Sequence, residues 1–481
     1  MQRFQRTLPQ ATAALCLVTC CSLPVQARQT ILSGSIGTGI DIRDRSYDQG
    51  NHGGSSDDQQ KLSLTPSFTL SSAGLYDQLS FRYAPSLNYD FVDDESSLDH
   101  SLGLTYQRML SSRWTVNVAD NFTLSDDPDA ASSSYSTDSG TDSTGTSDTS
   151  STEDTLSRDQ FGSTYWTNTA SLRTSYALFE RTTLGGGYTY SVLRNDSSGT
   201  GSGDSYDEYD KHTFSANISH GFNAYWRGSL GGNYTRGLYK EPPPSALAPS
   251  TNSDLNQYGL NLGLDYVQSV RNFFPFQYSY SQTQYDNDTR SDTQSQQWSL
   301  GWNHSFDPQT TLAIGGGPSY AKTEGQDGTW GYNAYLDFTK QYQHATWKVQ
   351  LSKQYETNNF SGTDESGLTD TYSAKTSFAY QYTKNLGLDI YGRYSKESQI
   401  DPQGKYRDAV TGLVTQTQTG DNTYDKDIYE IGAGLSYTFA RWYSLGLKYS
   451  YYVSEGQTES DQYDEHRIML SLSASKEFWR W

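Results

Sequence analysis

Along most of this chain apolar and polar residues alternate one for one. Leu260, Leu262, Leu264 and Tyr266 interleave with Asn261, Gly263 and Asp265, and Trp298, Leu300, Trp302 and Phe306 follow the same rhythm. So do Tyr429, Ile431, Ala433, Leu435, Tyr437 and Phe439. Successive side chains of a strand point to opposite faces, so each such segment has one oily side and one wet side. The rhythm returns between Ile31 and Trp481 and predicts about 20 strands, within 18–22, most of about 10–13 residues. That length matches a tilted strand crossing a bilayer rather than the shorter strand usual in soluble sheets. The segments Asn256–Val267, Gln296–Phe306 and Asp427–Phe439 are representative.

The gaps between segments alternate short and long. Ser72–Asp77, Phe179–Thr182, Asn223–Tyr225, Asp307–Thr310 and Gln343–Ala345 are short. Asp44–Gln60, Asp126–Gln160, Asn195–Asp210, Glu241–Asp254, Thr357–Asp370, Lys396–Lys426 and Ser454–Asp464 are long. Alternation of this kind predicts an all-β fold: one up-and-down antiparallel transmembrane barrel with short periplasmic turns and long, acidic extracellular loops. About twenty tilted strands would give a backbone diameter of about 40 Å and a lumen of roughly 20–25 Å.

Composition sharpens this expectation. Only 34% of the 481 residues are hydrophobic, and no apolar run is long enough for a membrane helix. A barrel tolerates this because only alternate residues must be apolar. Tyr, Phe and Trp number 39, 18 and 10. Trp114, Trp226, Trp347, Trp442 and Phe478 flank short gaps, whereas Tyr89, Tyr190, Trp330, Tyr394 and Tyr451 flank long ones, as two interfacial girdles would. A carbohydrate-stacking track would need inward aromatics, and few, such as Tyr335 and Tyr391, are in that phase.

Residues 1–27 read as a cleaved export signal: Arg3 and Arg6, the apolar stretch Ala11–Leu23, then Val25-Gln26-Ala27. The barrel is expected to occupy 28–481 as a single domain. Cys16, Cys20 and Cys21 all fall in the signal, so the remainder offers no disulfide, thiolate zinc site or haem-attachment motif. The net charge is −20, two units more negative without the signal, which argues against nucleic acid as a partner. The Ser/Thr/Asp/Gly-rich stretch 126–160 is too polar to fold on its own and is expected to be a disordered extracellular loop.

Charged residues facing lipid at mid-depth would each cost a few kcal/mol, about 2–4 for Lys or Arg, so those in the wet phase are assigned to the lumen. They are Arg82, Asp90, Arg173, Arg227, Asp265, Asp337, Lys348, Lys375, Asp389, Arg393, Glu430, Lys448, Arg467 and Glu477. Their mixed signs predict no sharp ion selectivity. The histidines are scattered, with His220 and His304 on the oily phase, and no Ser/His/acid constellation suggests an enzyme. Asp93-Asp94-Glu95, Asp126-Asp127 and Asp204–Asp210 lack the ligand spacing of a calcium loop. No cofactor or metal site is predicted.

Leu62-Ser-Leu-Thr-Pro66, Tyr76-Asp77-Gln-Leu-Ser-Phe-Arg-Tyr83, Leu98-Asp-His-Ser-Leu-Gly-Leu104 and Arg113-Trp114 through Asp126-Asp-Pro128 resemble a family of Gram-negative outer-membrane β-barrel porins. Members of that family are often associated with exopolysaccharide or capsule export. The resemblance covers Leu62–Pro128 and transfers no site residue. It implies an outer-membrane export pore whose partners are lipid, lipopolysaccharide, barrel-assembly machinery and polysaccharide-export components. The last strand, ending Phe478-Trp479-Arg480-Trp481, resembles the signal that this machinery reads, although Trp479 and Trp481 fall out of phase with Ile468, Leu470 and Leu472. Two other readings stay open: a porin sleeve around a multihaem cytochrome, and a structural or adhesive barrel.

Overall fold

The computed structural model describes residues 28–47, 58–130, 156, 158, 163–195, 206–240, 254–287, 290–362, 367–400, 405–407, 414–416, 425–456 and 462–481. The expected signal, 1–27, and most of the expected disordered loop, 131–155, lie outside the described residues.

The strands are β1 (Gln29–Tyr47), β2 (Gln59–Ala73), β3 (Asp77–Asp90), β4 (Glu95–Ser111), β5 (Trp114–Ser125), β6 (Tyr165–Phe179), β7 (Thr182–Asn195) and β8 (Tyr209–Gly221). They continue with β9 (Trp226–Tyr239), β10 (Leu255–Ser269), β11 (Asn272–Tyr285), β12 (Thr293–Asp307), β13 (Thr310–Thr323), β14 (Thr329–Gln341), β15 (Ala345–Asn358), β16 (Gly367–Thr383) and β17 (Leu386–Gln399). After a separate short hairpin, β18 (Lys405–Arg407) with β19 (Val414–Gln416), come β20 (Asp425–Phe439), β21 (Tyr443–Glu455) and β22 (Tyr463–Arg480). Each long strand pairs antiparallel with the next, and β22 pairs with β1. The result is a closed 20-stranded barrel.

Closure leaves no edge, so every wall strand has two neighbours for its backbone N–H and C=O groups. The short connections have a local cause. At 112–113, 270–271, 308–309 and 384–385 the last strand residue accepts backbone N–H groups through its own side chain: Ser111 from Arg113, Ser269 from Arg271, Asp307 from Gln309 and Thr383 from Asn385. Between β20 and β21, Ala440 and Arg441 take positive φ values of 50° and 65°, so Trp442 sits in the turn instead of opening the strand.

Several strands outrun the expected segments at the loop end. β1 runs to Tyr47, inside the expected gap Asp44–Gln60, and β16 starts at Gly367, inside the expected gap Thr357–Asp370. The ladder extends where the outer face no longer needs to be apolar, so hydropathy loses the strand before the hydrogen bonds do. At the other end a bulge lies opposite Leu32/Ser33, where Ser33 pairs with Glu477 but Leu32 with Trp479. That extra residue moves Trp479 onto the face of Leu32, which explains the phase slip in the C-terminal residues.

Pro318 interrupts the ladder between β12 and β13, because it has no N–H to donate. Asn333 on β14 compensates, its side-chain amide donating to Trp298 O at 2.9 Å and Pro318 O at 3.3 Å.

Candidate functional site: the lumen and its mouth

Large apolar side chains crowd the outer face: Ile36 and Ile40 on β1, Leu260, Leu262 and Leu264 on β10, and Ile468, Leu470 and Leu472 on β22 are all exposed. The residues between them form the inner face, largely Gly, Ser, Thr and Asn. The aromatics expected in girdles, Trp114, Trp226, Trp347, Phe478, Tyr89 and Trp330, are exposed beside the apolar stripe.

The charged residues assigned from the sequence separate into groups. Lys375 lies beside Arg393, which pairs in register with Glu430, and Tyr391 donates to Glu430 at 3.0 Å while Lys448 lies over the Tyr391 ring. Asp265 and Arg227 are register neighbours, as are Asp389 and Gly434, and Gln350 donates to Asp337 at 3.1 Å. Arg82 on β3 pairs in register with Thr69 and Gly103, Arg173 on β6 with Asn117 and Gly187, and Lys348 on β15 with Thr339 and Ser377. Asp90 is buried at the loop end of β3, where it accepts from the Val92 N–H at 2.9 Å. Glu477 lies at the opposite end, paired with Arg480 at 2.7 Å.

Arg467 belongs to a larger network that the sequence reading missed. Its guanidinium meets Asp41 at 2.7 Å, Asp127 at 2.7 Å and Asp129 at 3.0 Å. Arg43 also meets Asp127, at 3.2 Å, and Arg45 meets Glu465 at 2.7 Å. Lys61 pairs with Asp126 at 2.5 Å. Arg158 pairs with Asp129 at 2.8 Å, and its carbonyl accepts from Arg45 at 3.0 Å. Thus the acid run Asp126-Asp127-Pro128-Asp129 folds inward from β5 and docks on a row of cations supplied by β1, β2 and β22. Burial alone would raise the Asp127 carboxyl, but Arg43 and Arg467 outweigh it and hold it well below the usual carboxylate range. The signal for this row was present: Asp41, Arg43 and Arg45 continue the two-residue phase of β1.

A second segment folds inward from β15. Residues 359–362 cross the mouth to the inner wall of β8–β11. Phe360 packs with Tyr209, Leu255, Tyr206, Leu193 and Tyr165 in a buried apolar cluster that also holds Leu156. Tyr285 donates to the Asn359 side chain at 2.9 Å, Tyr209 to the Phe360 carbonyl at 3.4 Å, and Tyr239 to the Asn359 carbonyl. Inward aromatics are therefore far more numerous at the loop end than Tyr335 and Tyr391 suggested. They escaped notice because Tyr165, Tyr209, Leu255 and Tyr285 are strand-terminal residues, where the alternation is shortest.

The outer face carries two departures from simple patterning. Tyr83–His100, Tyr188–His212 and Tyr449–His466 repeat one diagonal pairing, each sharing a hydroxyl–Nδ1 hydrogen bond at 2.9–3.0 Å. His220 and His304 bond Thr182 and Asn272 at the turn end. Asp120 lies on the oily phase of β5 between Val118 and Phe122, satisfied by the Asn168 amide at 2.9 Å. Among the described residues no group of His, Cys, Asp or Glu is arranged to hold a metal ion.

No protein-family model matches this sequence, and no curated protein matches it. Solved barrels are similar in fold. The siderophore receptor PirA from Pseudomonas aeruginosa aligns at 12% identity over 93% of this chain and 80% of its own, with a TM-score of 0.47. OpdQ from Pseudomonas aeruginosa aligns at 13% identity over 93% and 98%, with a TM-score of 0.41. OccAB3 from Acinetobacter baumannii aligns at 11% identity over 93% and 99%, with a TM-score of 0.42.

Proposed function

We propose that this chain is a passive outer-membrane channel and that it serves as the exit pore of a polysaccharide-secretion system. The observation that carries the reading is the wall itself: a closed 20-strand cylinder, apolar outside and lined with small polar and mixed charged residues inside. A hydroxyl-rich chain can exchange its water for such a lining at little cost, and the wall has no unpaired edge to expose to lipid. In this reading the apolar belt meets lipid and lipopolysaccharide, the long loops face outward, and the assembly machinery reads the C-terminal strand. The chain works without an enzymatic step.

The sleeve around a multihaem cytochrome is the weaker reading, because residues 359–362 and 126–129 occupy space at the mouth that an inserted partner would need. Planar-bilayer conductance with polymer exclusion tests the pore. Discrete channels that pass small polyethylene glycols are expected, and current no greater than leak would overturn the proposal in favour of a structural or adhesive barrel. Haem staining of co-purified partners should be blank; a stained multihaem partner would favour the sleeve.

A further inference from the structure

The wall ladder between β15 and β16 closes at Asn358 opposite Gly367, so the barrel does not need Phe360 for closure. Even so, the segment after Asn358 is held as a ligand would be. Phe360 stacks on Tyr239 with ring centroids 5.9 Å apart and planes inclined by 11°, and meets Tyr209 edge-on at 5.1 Å. The Lys211 ammonium lies 4.3 Å from the same ring. Around that apolar plate, the phenols of Tyr209, Tyr239 and Tyr285 all donate to oxygens of Asn359 and Phe360. Gly237 makes the room: a Cβ there would stand 2.9 Å from the Phe360 ring.

With Phe360 away, the Tyr239 ring face, bordered by the hydroxyls of Tyr209 and Tyr285, also fits a pyranose, which presents an apolar C–H face and a rim of oxygen acceptors. We propose that this socket is a saccharide-binding site at the channel mouth, and that Phe360 with Asn359 is its built-in occupant, displaced when a sugar unit arrives. The inference rests on the polysaccharide reading above and adds to it a defined subsite whose ligand is a neutral sugar ring. It also assigns a role to the inward tyrosines: they grip the strap in one state and cargo in the other.

The test uses the full chain, with maltoheptaose as the probe. Phe360→Ala empties the socket, and Gly237→Ala added to it puts a methyl group into the emptied space without touching the tyrosines. Heat-modifiable migration on gels confirms a folded barrel in each case. Phe360→Ala is expected to show current block by maltoheptaose that the wild type lacks, or shows up to about tenfold more weakly, that being the upper range of one aromatic contact. Adding Tyr239→Ala or Gly237→Ala to Phe360→Ala should remove the block. Channels of Phe360→Ala that conduct but are not blocked would overturn the site and leave the pore reading intact. If no variant conducts, the pore reading fails, and titration calorimetry of maltoheptaose on detergent-solubilised Phe360→Ala then decides the site, with absent heat overturning it.

Discussion

Replacing Arg467 by Met keeps the length of the side chain and removes the charge that joins three carboxylates. The guanidinium bonds Asp41 at 2.7 and 3.1 Å, Asp127 at 2.7 Å and Asp129 at 3.0 Å, on a site where its own side chain is 12% exposed. Charge-assisted hydrogen bonds contribute about 1.5–3 kcal/mol each, and breaking a buried pair costs about 3–5 kcal/mol. Arg43 still faces Asp127 and Arg158 still faces Asp129, and Asp129 is one-third exposed, so the lower end applies. About 3 kcal/mol corresponds to a fall of roughly a hundredfold in the ratio of docked to undocked acid run. The wall ladder is untouched, so the barrel itself should hold. Trypsin cleavage after Arg158 reads the undocked population, because the Arg158 carbonyl is held by Arg45 in the docked state. The expected result is a roughly hundredfold faster nick in Arg467→Met, with unchanged gel mobility of the unheated barrel. Arg82→Met, which makes none of these contacts, is the control. An unchanged nicking rate would refute the idea that this cation row docks the loop.

Acid should undo the same contact late. The Asp127 carboxyl is depressed in the folded chain, so its contribution is complete above the ordinary carboxylate pKa of about 4 and is lost only as pH falls through the lower folded value. Trypsin-like nicking at Arg158 should therefore be flat from neutral pH to about 5, measured with pH-tolerant protease, and Asp127→Asn should raise it at every pH. On the outer face, exchanging Asp120 and Asn168 together for Leu should stabilise the barrel by about 1–3 kcal/mol in denaturant unfolding from lipid, since two polar groups leave the apolar belt; a loss of stability would contradict the lipid-facing placement. Asn333→Leu should cost about 1–3 kcal/mol in the same assay by stranding the carbonyls of Trp298 and Pro318.

Much of the wall was legible because its cause is local. Leu260, Leu262 and Leu264 must face one way whatever their neighbours, and alternating gaps impose the meander. What escaped depends on contacts between distant segments. The bulge beside Trp479 is defined by its register against Leu32, which no property of the C-terminal strand alone reveals. Phe360 lies in a polar gap, and only closure of the barrel brings it over Tyr239 and Gly237. Asp127 and Asp129 read as part of a solvated acid stretch until Arg43 and Arg467 are seen to share their end of the lumen. Arg467 itself was assigned to the inner face on phase, but phase carries no information about which carboxylates it would meet.

The alternation assigns one face of each strand to lipid and the other to water. Single spin labels at 260–266 on β10, in proteoliposomes, test it by the ratio of oxygen to nickel-chelate accessibility. Strict alternation is expected, with oxygen favoured at 260, 262, 264 and 266 and the water-soluble chelate at 261, 263 and 265. Uniform chelate accessibility at all seven positions, as in a water-soluble sheet, would contradict it.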